Sequence, residues 1–243
     1  MQVATLFVDA RLEEIHGRLL AFYGKPAERV VWDPLKQFIY SLLSSRTKTE
    51  VTYDVVQHLE ERFGNWERLR DAPVSEIEDA IRPITFPEQK SIWLKEALQQ
   101  ITARCGKLSL DFLHGYRTDK VRSWLERFEG VGPKTSAAVV NFSSLRRRAL
   151  CVDSHHLRVT YRLGLVAKSA DARQAENRLM EMAPAEWSAE LLDEHHTLIK
   201  IHGQLTCTFT NPKCNACPLL DVCPTGQLPQ QTVRRIIHNK AIR

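Results

Sequence analysis

The sequence predicts an all-α protein, and three observations carry that reading. Apolar residues recur at intervals of three and four along most of the 243-residue chain, which gathers them on one face of a helix. Glycine and proline are few, 10 and 11. Nothing alternates apolar with polar residues as a half-buried strand does, apart from brief runs such as Val30–Trp32.

The first amphipathic helix reads as Leu12–Phe22. Leu35–Leu43 is apolar enough to be a buried helix, with Asp33 as its cap and Pro34 as its first helical residue. Glu50–Phe63 follows, then the short Ser75–Ile81, then Lys90–Arg104 and Leu110–Leu113. Asp119–Phe128 has Thr118 as an N-cap candidate. After a glycine turn comes Lys134–Phe142. Later helices fit at His155–Leu163, Ala170–Met182 and Leu191–His202. Helices at this density with short connections make a bundle or barrel. The length suits one large domain or two small ones, and no internal repeat or low-complexity block is present.

Composition is ordinary for a globular chain, 43% hydrophobic and 26% charged. No apolar run reaches the length of a membrane-spanning helix, so no membrane partner is expected. The N-terminus has no basic leader and no cleavage site, which predicts a cytoplasmic protein. Net charge is +5. Four of those charges, Arg234, Arg235, Lys240 and Arg243, sit in an acid-free tail at 225–243. Another basic run is Arg146–Arg148. Such clusters suit a polyanion such as DNA.

Of six cysteines, Cys105 and Cys151 stand alone and read as small buried hydrophobes. Cys207, Cys214, Cys217 and Cys223 crowd into seventeen residues with the spacing Cys-x6-Cys-x2-Cys-x5-Cys. Four thiolates in one loop can hold zinc or an iron–sulfur cluster. A zinc ribbon brings two Cys-x2-Cys knuckles on separate hairpins, and only one is present. One continuous loop can wrap a cubane, so the chemistry favours iron–sulfur. Lys213, inside this loop, is a candidate phosphate contact.

The stretch Gly130-Val131-Gly132-Pro133-Lys134-Thr135 opens a helix. Glycines allow torsions closed to other residues, and proline at the first helical position costs no hydrogen bond. The exposed N–H groups of the helix end can bind a phosphate. Gly130, Val131, Gly132 and Thr135 are therefore candidate DNA contacts. A lysine at a helix N-terminus is poorly placed for stability. The same field, with partial desolvation, favours its neutral amine, which is a nucleophile. Lys134 could then attack C1′ of a nucleotide. Asp153, after an apolar run and before a helix, is a good N-cap; as a carboxylate it could also accept a proton and steady an oxocarbenium-like sugar. His155, His156, His195 and His196 read as buried residues with satisfied hydrogen bonds rather than as metal ligands.

Together, G-V-G-P-K-T, V-D-S-H and H-G-Q-L-T-C-x6-C-x2-C-x5-C resemble the endonuclease III family of helix–hairpin–helix DNA glycosylases, from about Pro34 to Cys223. The resemblance implies a six-helix barrel at 30–147, a cluster-bearing domain from 1–29 and 148–224, a DNA cleft between them, and the separate tail at 225–243. It makes Lys134 the Schiff-base lysine, Asp153 the catalytic aspartate, and the four cysteines ligands of a [4Fe–4S] cluster. It places Arg46, in the segment Leu43–Thr47, where the gap left by a flipped base is filled, and Phe86 at the intercalating position. Many bacterial members have glutamine at the Arg46 position, and archaeal-like relatives have arginine. The expected partner is double-stranded DNA with damaged bases or abasic sites, bound by a monomer. The expected activity is that of a bifunctional glycosylase/AP lyase acting on oxidised pyrimidines. A monofunctional glycosylase for a mismatched or modified base and a non-catalytic iron–sulfur DNA-binding protein are the rivals. Thr49, Thr85, Pro87 and the loop Ser143–Arg148 depart from the family pattern, and they bear on base recognition rather than on the lysine–aspartate pair.

Overall fold

The computed structural model describes residues 9–228; the four basic residues of the tail lie outside them. The described residues form eleven α-helices and two short 3-10 turns. No strand forms among them, and the extended run near Trp32 yields a single bridge to Ser143. The chain divides into two compact units, residues 29–147 and the residues on either side of that segment.

The 29–147 unit contains α2 (Pro34–Leu43), α3 (Thr49–Phe63), α4 (Trp66–Asp71), α5 (Val74–Ala80), α6 (Pro87–Cys105), α7 (Thr118–Leu125) and α8 (Pro133–Phe142). Helix α2 is central and packs on α3, α6 and α8. Its sequence explains this: Leu35, Phe38, Ile39, Leu42 and Leu43 are all buried. Asp33 caps it, accepting from Leu35 N at 2.9 Å and Lys36 N at 3.0 Å. Helix α4 is absent from the periodicity reading; Asn65 caps it through Arg68 N at 2.8 Å. Thr118 is not the N-cap of α7 but its first residue, after Arg117. That helix stops at Leu125, because Glu126–Gly132 turns to feed α8.

The other unit holds α1 (Arg11–Tyr23), α9 (Ser154–Arg162), α10 (Ala172–Met182) and α11 (Ala189–Leu205). Helix α11 packs on α9 and α1, and α10 also meets α1. One apolar cluster joins Leu12 and Leu19 to Val159, Leu179, Trp187, Leu198 and Ile199. Residues remote in sequence thus share one core, which is how the N-terminal helix belongs to the C-terminal third. Cys151 is buried as predicted, but Cys105, at the end of α6, is half-exposed.

The arginine run is not a free basic face. The Arg147 guanidinium turns onto the carbonyls of Leu113 and His114, at 3.2 and 2.6 Å, and onto that of Tyr116. Arg146 donates to Asn141 O at 3.2 Å. These side chains tie loops to helices, because the carbonyls of short turns need donors.

Candidate functional site

In the 29–147 unit the predicted hairpin is present between α7 and α8. Gly130 has φ +78°, which favours glycine. A Cβ there would also stand 2.5 Å from the Trp93 ring and 3.0 Å from Leu42. Gly132 corrects the simple expectation: its φ is −102°, open to any residue. A Cβ on it would meet nothing within 4 Å. Its lack of a side chain instead leaves the mouth of α8 uncovered. Val131 and Thr135 are buried, so neither offers an exposed side chain to a partner. Pro133 is the first residue of α8 and Lys134 the second.

Lys134 reaches back to the end of α2. Its Nζ donates to Ser44 Oγ at 2.8 Å, and Ser44 Oγ donates to Ser41 O at 2.9 Å. Ser44 opens the turn that carries Arg46. Arg46 and Phe86 are both exposed, and both hold the left-handed backbone at φ +56° and +60°. The Arg46 guanidinium sits over the Phe86 ring at 5.8 Å. Thr85 joins the two loops, its Oγ1 donating to Arg46 O at 3.0 Å and its N to Thr47 Oγ1 at 3.1 Å. Sequence reasoning missed Lys90, which is 1% exposed and donates to Leu43 O at 2.8 Å and Ser45 O at 2.7 Å. An isolated lysine in an amphipathic helix gives no signal of burial.

In the other unit Asp153 is the N-cap of α9, as its sequence context predicts, accepting from His156 N at 2.9 Å. His156 Nδ1 lies 3.3 Å from the same oxygen. Burial pushes the Asp153 carboxyl up. The hydrogen bond and charge of His156, with His196 beyond, outweigh it and hold the group below the usual carboxylate range. His196 bonds Cys151 O at 2.7 Å. His195 departs from the expectation: it is fully buried, and neither ring nitrogen has a hydrogen-bond partner.

Cys207, Cys214, Cys217 and Cys223 line one cavity, walled by Val159, Leu163 and Leu219. Lys213 is exposed at its rim. Among the described residues no three His, Cys, Asp or Glu side chains form a group that could hold a metal ion. The donor set fits a thiolate-bound group in other respects. Leu219 N donates to Cys217 Sγ at 3.4 Å, Gly226 N to Cys223 Sγ at 3.3 Å, and Arg162 to Cys207 Sγ at 3.3 Å. Such donors stabilise sulfur anions. Burial, with the neighbouring thiols, pushes Cys217 up to about 11, an environment that a cationic group bound by the thiolates would reverse.

Glycine hairpin, following lysine, helix-capping aspartate and four-cysteine loop define a protein of the helix–hairpin–helix class. The match to the model of the HhH-GPD superfamily of base excision DNA repair proteins spans residues 39–185, more than half of the chain, and the chain belongs to that superfamily. It is 32% identical to endonuclease III of Sulfolobus acidocaldarius over 65% of this chain and 66% of the relative. It is 27% identical to endonuclease III of Bacillus subtilis over 82% and 85%. It is 27% identical to the DNA glycosylase/AP lyase ROS1 of Arabidopsis thaliana over 79% of this chain, which spans only 14% of that much longer protein. A structure of endonuclease III trapped covalently on DNA shares the fold, with TM-score 0.75 and 24% identity over 91% of this chain and 98% of that one.

Proposed function

We propose that this protein is a bifunctional DNA glycosylase and AP lyase. The observation that carries the reading is the place of Lys134: second residue of a helix, behind an uncovered glycine turn, with its amine held on Ser44. In the proposed reaction the hairpin N–H groups hold a phosphate, and the damaged nucleotide is extruded from the duplex. The Lys134 amine forms a bond to C1′ as the glycosidic bond breaks, and the bonding electrons leave with the base. Asp153 accepts the proton lost by the amine and balances positive charge on the sugar. The sugar ring then opens: the C1′–O4′ bond breaks, O4′ takes a proton, and the nitrogen lone pair closes the Schiff base at C1′. This acidifies C2′, and loss of a C2′ proton expels the 3′ phosphate, which nicks the strand.

Oxidised pyrimidines in double-stranded DNA are the proposed substrates, bound by a monomer. The support is the similarity to endonuclease III relatives together with the lysine. Arg46 and Phe86 are proposed to fill and wedge the duplex, and Lys213 to meet a phosphate. The four cysteines would hold a [4Fe–4S] cluster, which supplies a rigid centre for the loop 207–223 rather than chemistry at the sugar.

Borohydride trapping tests the reading. Wild type should form a covalent adduct on duplexes containing an abasic site or an oxidised pyrimidine, and Lys134→Gln should form none. Trapping on the abasic duplex alone would leave a lyase with a different base specificity. No adduct on either would remove the bifunctional assignment.

A further inference from the structure

Lys90 is a buried cation with no buried anion. It lies in the first turn of α6 and is 1% exposed. Its Nζ donates to Leu43 O at 2.8 Å and Ser45 O at 2.7 Å, with Thr47 Oγ1 at 3.5 Å. All three are neutral oxygens of one turn. A desolvated charge held only by neutral acceptors is costly, so the position is not explained by stability alone. The two carbonyls it holds flank Ser44, and the Ser44 hydroxyl is the group on which the Lys134 amine rests at 2.8 Å. Two lysines, from α6 and α8, thus converge on the same five-residue turn. Their charges sense each other: burial first, and then the charge of Lys134, bring the Lys90 ammonium down to about 8.

We propose that Lys90 is a positioning residue for Lys134, clamping the Leu43–Thr47 turn so that Ser44 aims the attacking amine. This rests on the reading of Lys134 as the nucleophile. The Lys90 ammonium fixes the carbonyls on both sides of Ser44, and with them the direction of Ser44 Oγ. That hydroxyl spends its own proton on Ser41 O at 2.9 Å, which leaves its lone pairs for Lys134. The same turn carries Arg46 in its left-handed conformation, so one clamp sets both the amine and the exposed tip of the loop.

The test is the initial rate of borohydride trapping on an abasic duplex, measured with the full chain, beside the Kd for the same duplex and a melting curve. Lys90→Met should trap about tenfold or more slowly, because small misplacement of a reacting group carries such factors, with Kd changed by no more than about threefold. Ser44→Ala should slow trapping similarly. The double variant should be no slower than the slower single, as residues acting through one contact are non-additive. If Lys90→Met does not fold, Ser44→Ala carries the comparison, and Lys90→Gln, which keeps a donor for the carbonyls, should trap closer to the wild-type rate than Ser44→Ala does. Trapping at the wild-type rate in folded Lys90→Met or in Ser44→Ala, or independent multiplication of their effects, overturns the positioning role while leaving Lys134 in place. An adduct that survives Lys134→Gln overturns both readings.

Discussion

The guanidinium of Arg46 lies over the ring of Phe86, 5.8 Å from its centroid, and both residues hold positive φ. A non-glycine residue in that region stores roughly 1 kcal/mol or more of strain. Two such residues stacked at an exposed loop pair are held there by the Thr85 bonds to Arg46 and Thr47. Phe86 is 49% exposed, so its ring adds little to folding. Phe86→Ala should leave the melting temperature nearly unchanged. It should weaken capture of a damaged duplex by about tenfold, which is about 1.4 kcal/mol and so a part of the few kcal/mol that unstacking a base step takes. Trapping on a preformed abasic site should fall much less. Equal losses on the two duplexes would remove the wedge role.

The two hairpin glycines should separate stability from binding. Gly130→Ala forces a Cβ to 2.5 Å from Trp93 at φ +78°, and should cost about 1–3 kcal/mol. Gly132→Ala meets no atom within 4 Å at an ordinary φ, so its stability should stay within about 0.5 kcal/mol of wild type. It should nevertheless weaken binding of undamaged duplex, because a methyl group then covers the mouth of α8. Melting curves and fluorescence anisotropy read the two effects. Wild-type DNA affinity in Gly132→Ala would show that the helix mouth is not the contact.

Much of this was legible in the sequence where local chemistry dictates geometry. Asp33-Pro34 and Asp153 are caps because a short acceptor before a helix has few other uses. Helix α4, Trp66–Asp71, is too short to show a period. The positive φ of Arg46 and Phe86 is set by contacts between loops, which no residue type announces. Lys90 and Arg147 read as surface cations, yet they are folded onto carbonyls that only the tertiary structure brings near. His195 reads as one of two adjacent histidines, and only the packing of α11 shows that its ring lacks partners.

The cysteine loop makes a prediction of its own. Residues 207–223 hold just one three-residue 3-10 turn, Cys214–Ala216, so a bound cluster is the proposed source of their order. Purified protein should contain about four irons and four acid-labile sulfides per chain if the [4Fe–4S] assignment holds. Replacing Cys207, Cys214, Cys217 and Cys223 by serine should abolish folding or DNA binding. A fully serine-substituted chain that melts and binds DNA like wild type would show that the cluster is dispensable.

Stability should fall in mild acid, and His195 should be a principal cause. Burial holds its imidazole well below 6.5, and the charges of His156 and His16 push the same way. Burial also lowers His16, opposed by the carboxylates of Glu194, 3.2 Å away, and Glu13. In the unfolded chain these rings titrate near 6.5. Above that pH both states are neutral and no proton is exchanged on unfolding. As pH drops from about 6.5 to 5, the unfolded chain binds protons that the folded rings refuse, so unfolding gains free energy. Denaturant midpoints should therefore change little from pH 8 to 7 and decline more steeply below it. His195→Leu removes one refusing ring and two buried nitrogens without hydrogen-bond partners, each of which costs roughly 1–3 kcal/mol when unsatisfied. It should keep or raise stability at pH 7.5 and flatten the acid decline. A variant that is less stable at pH 7.5, with the decline unchanged, would show that the ring is satisfied by a bound water and that the acid sensitivity originates elsewhere.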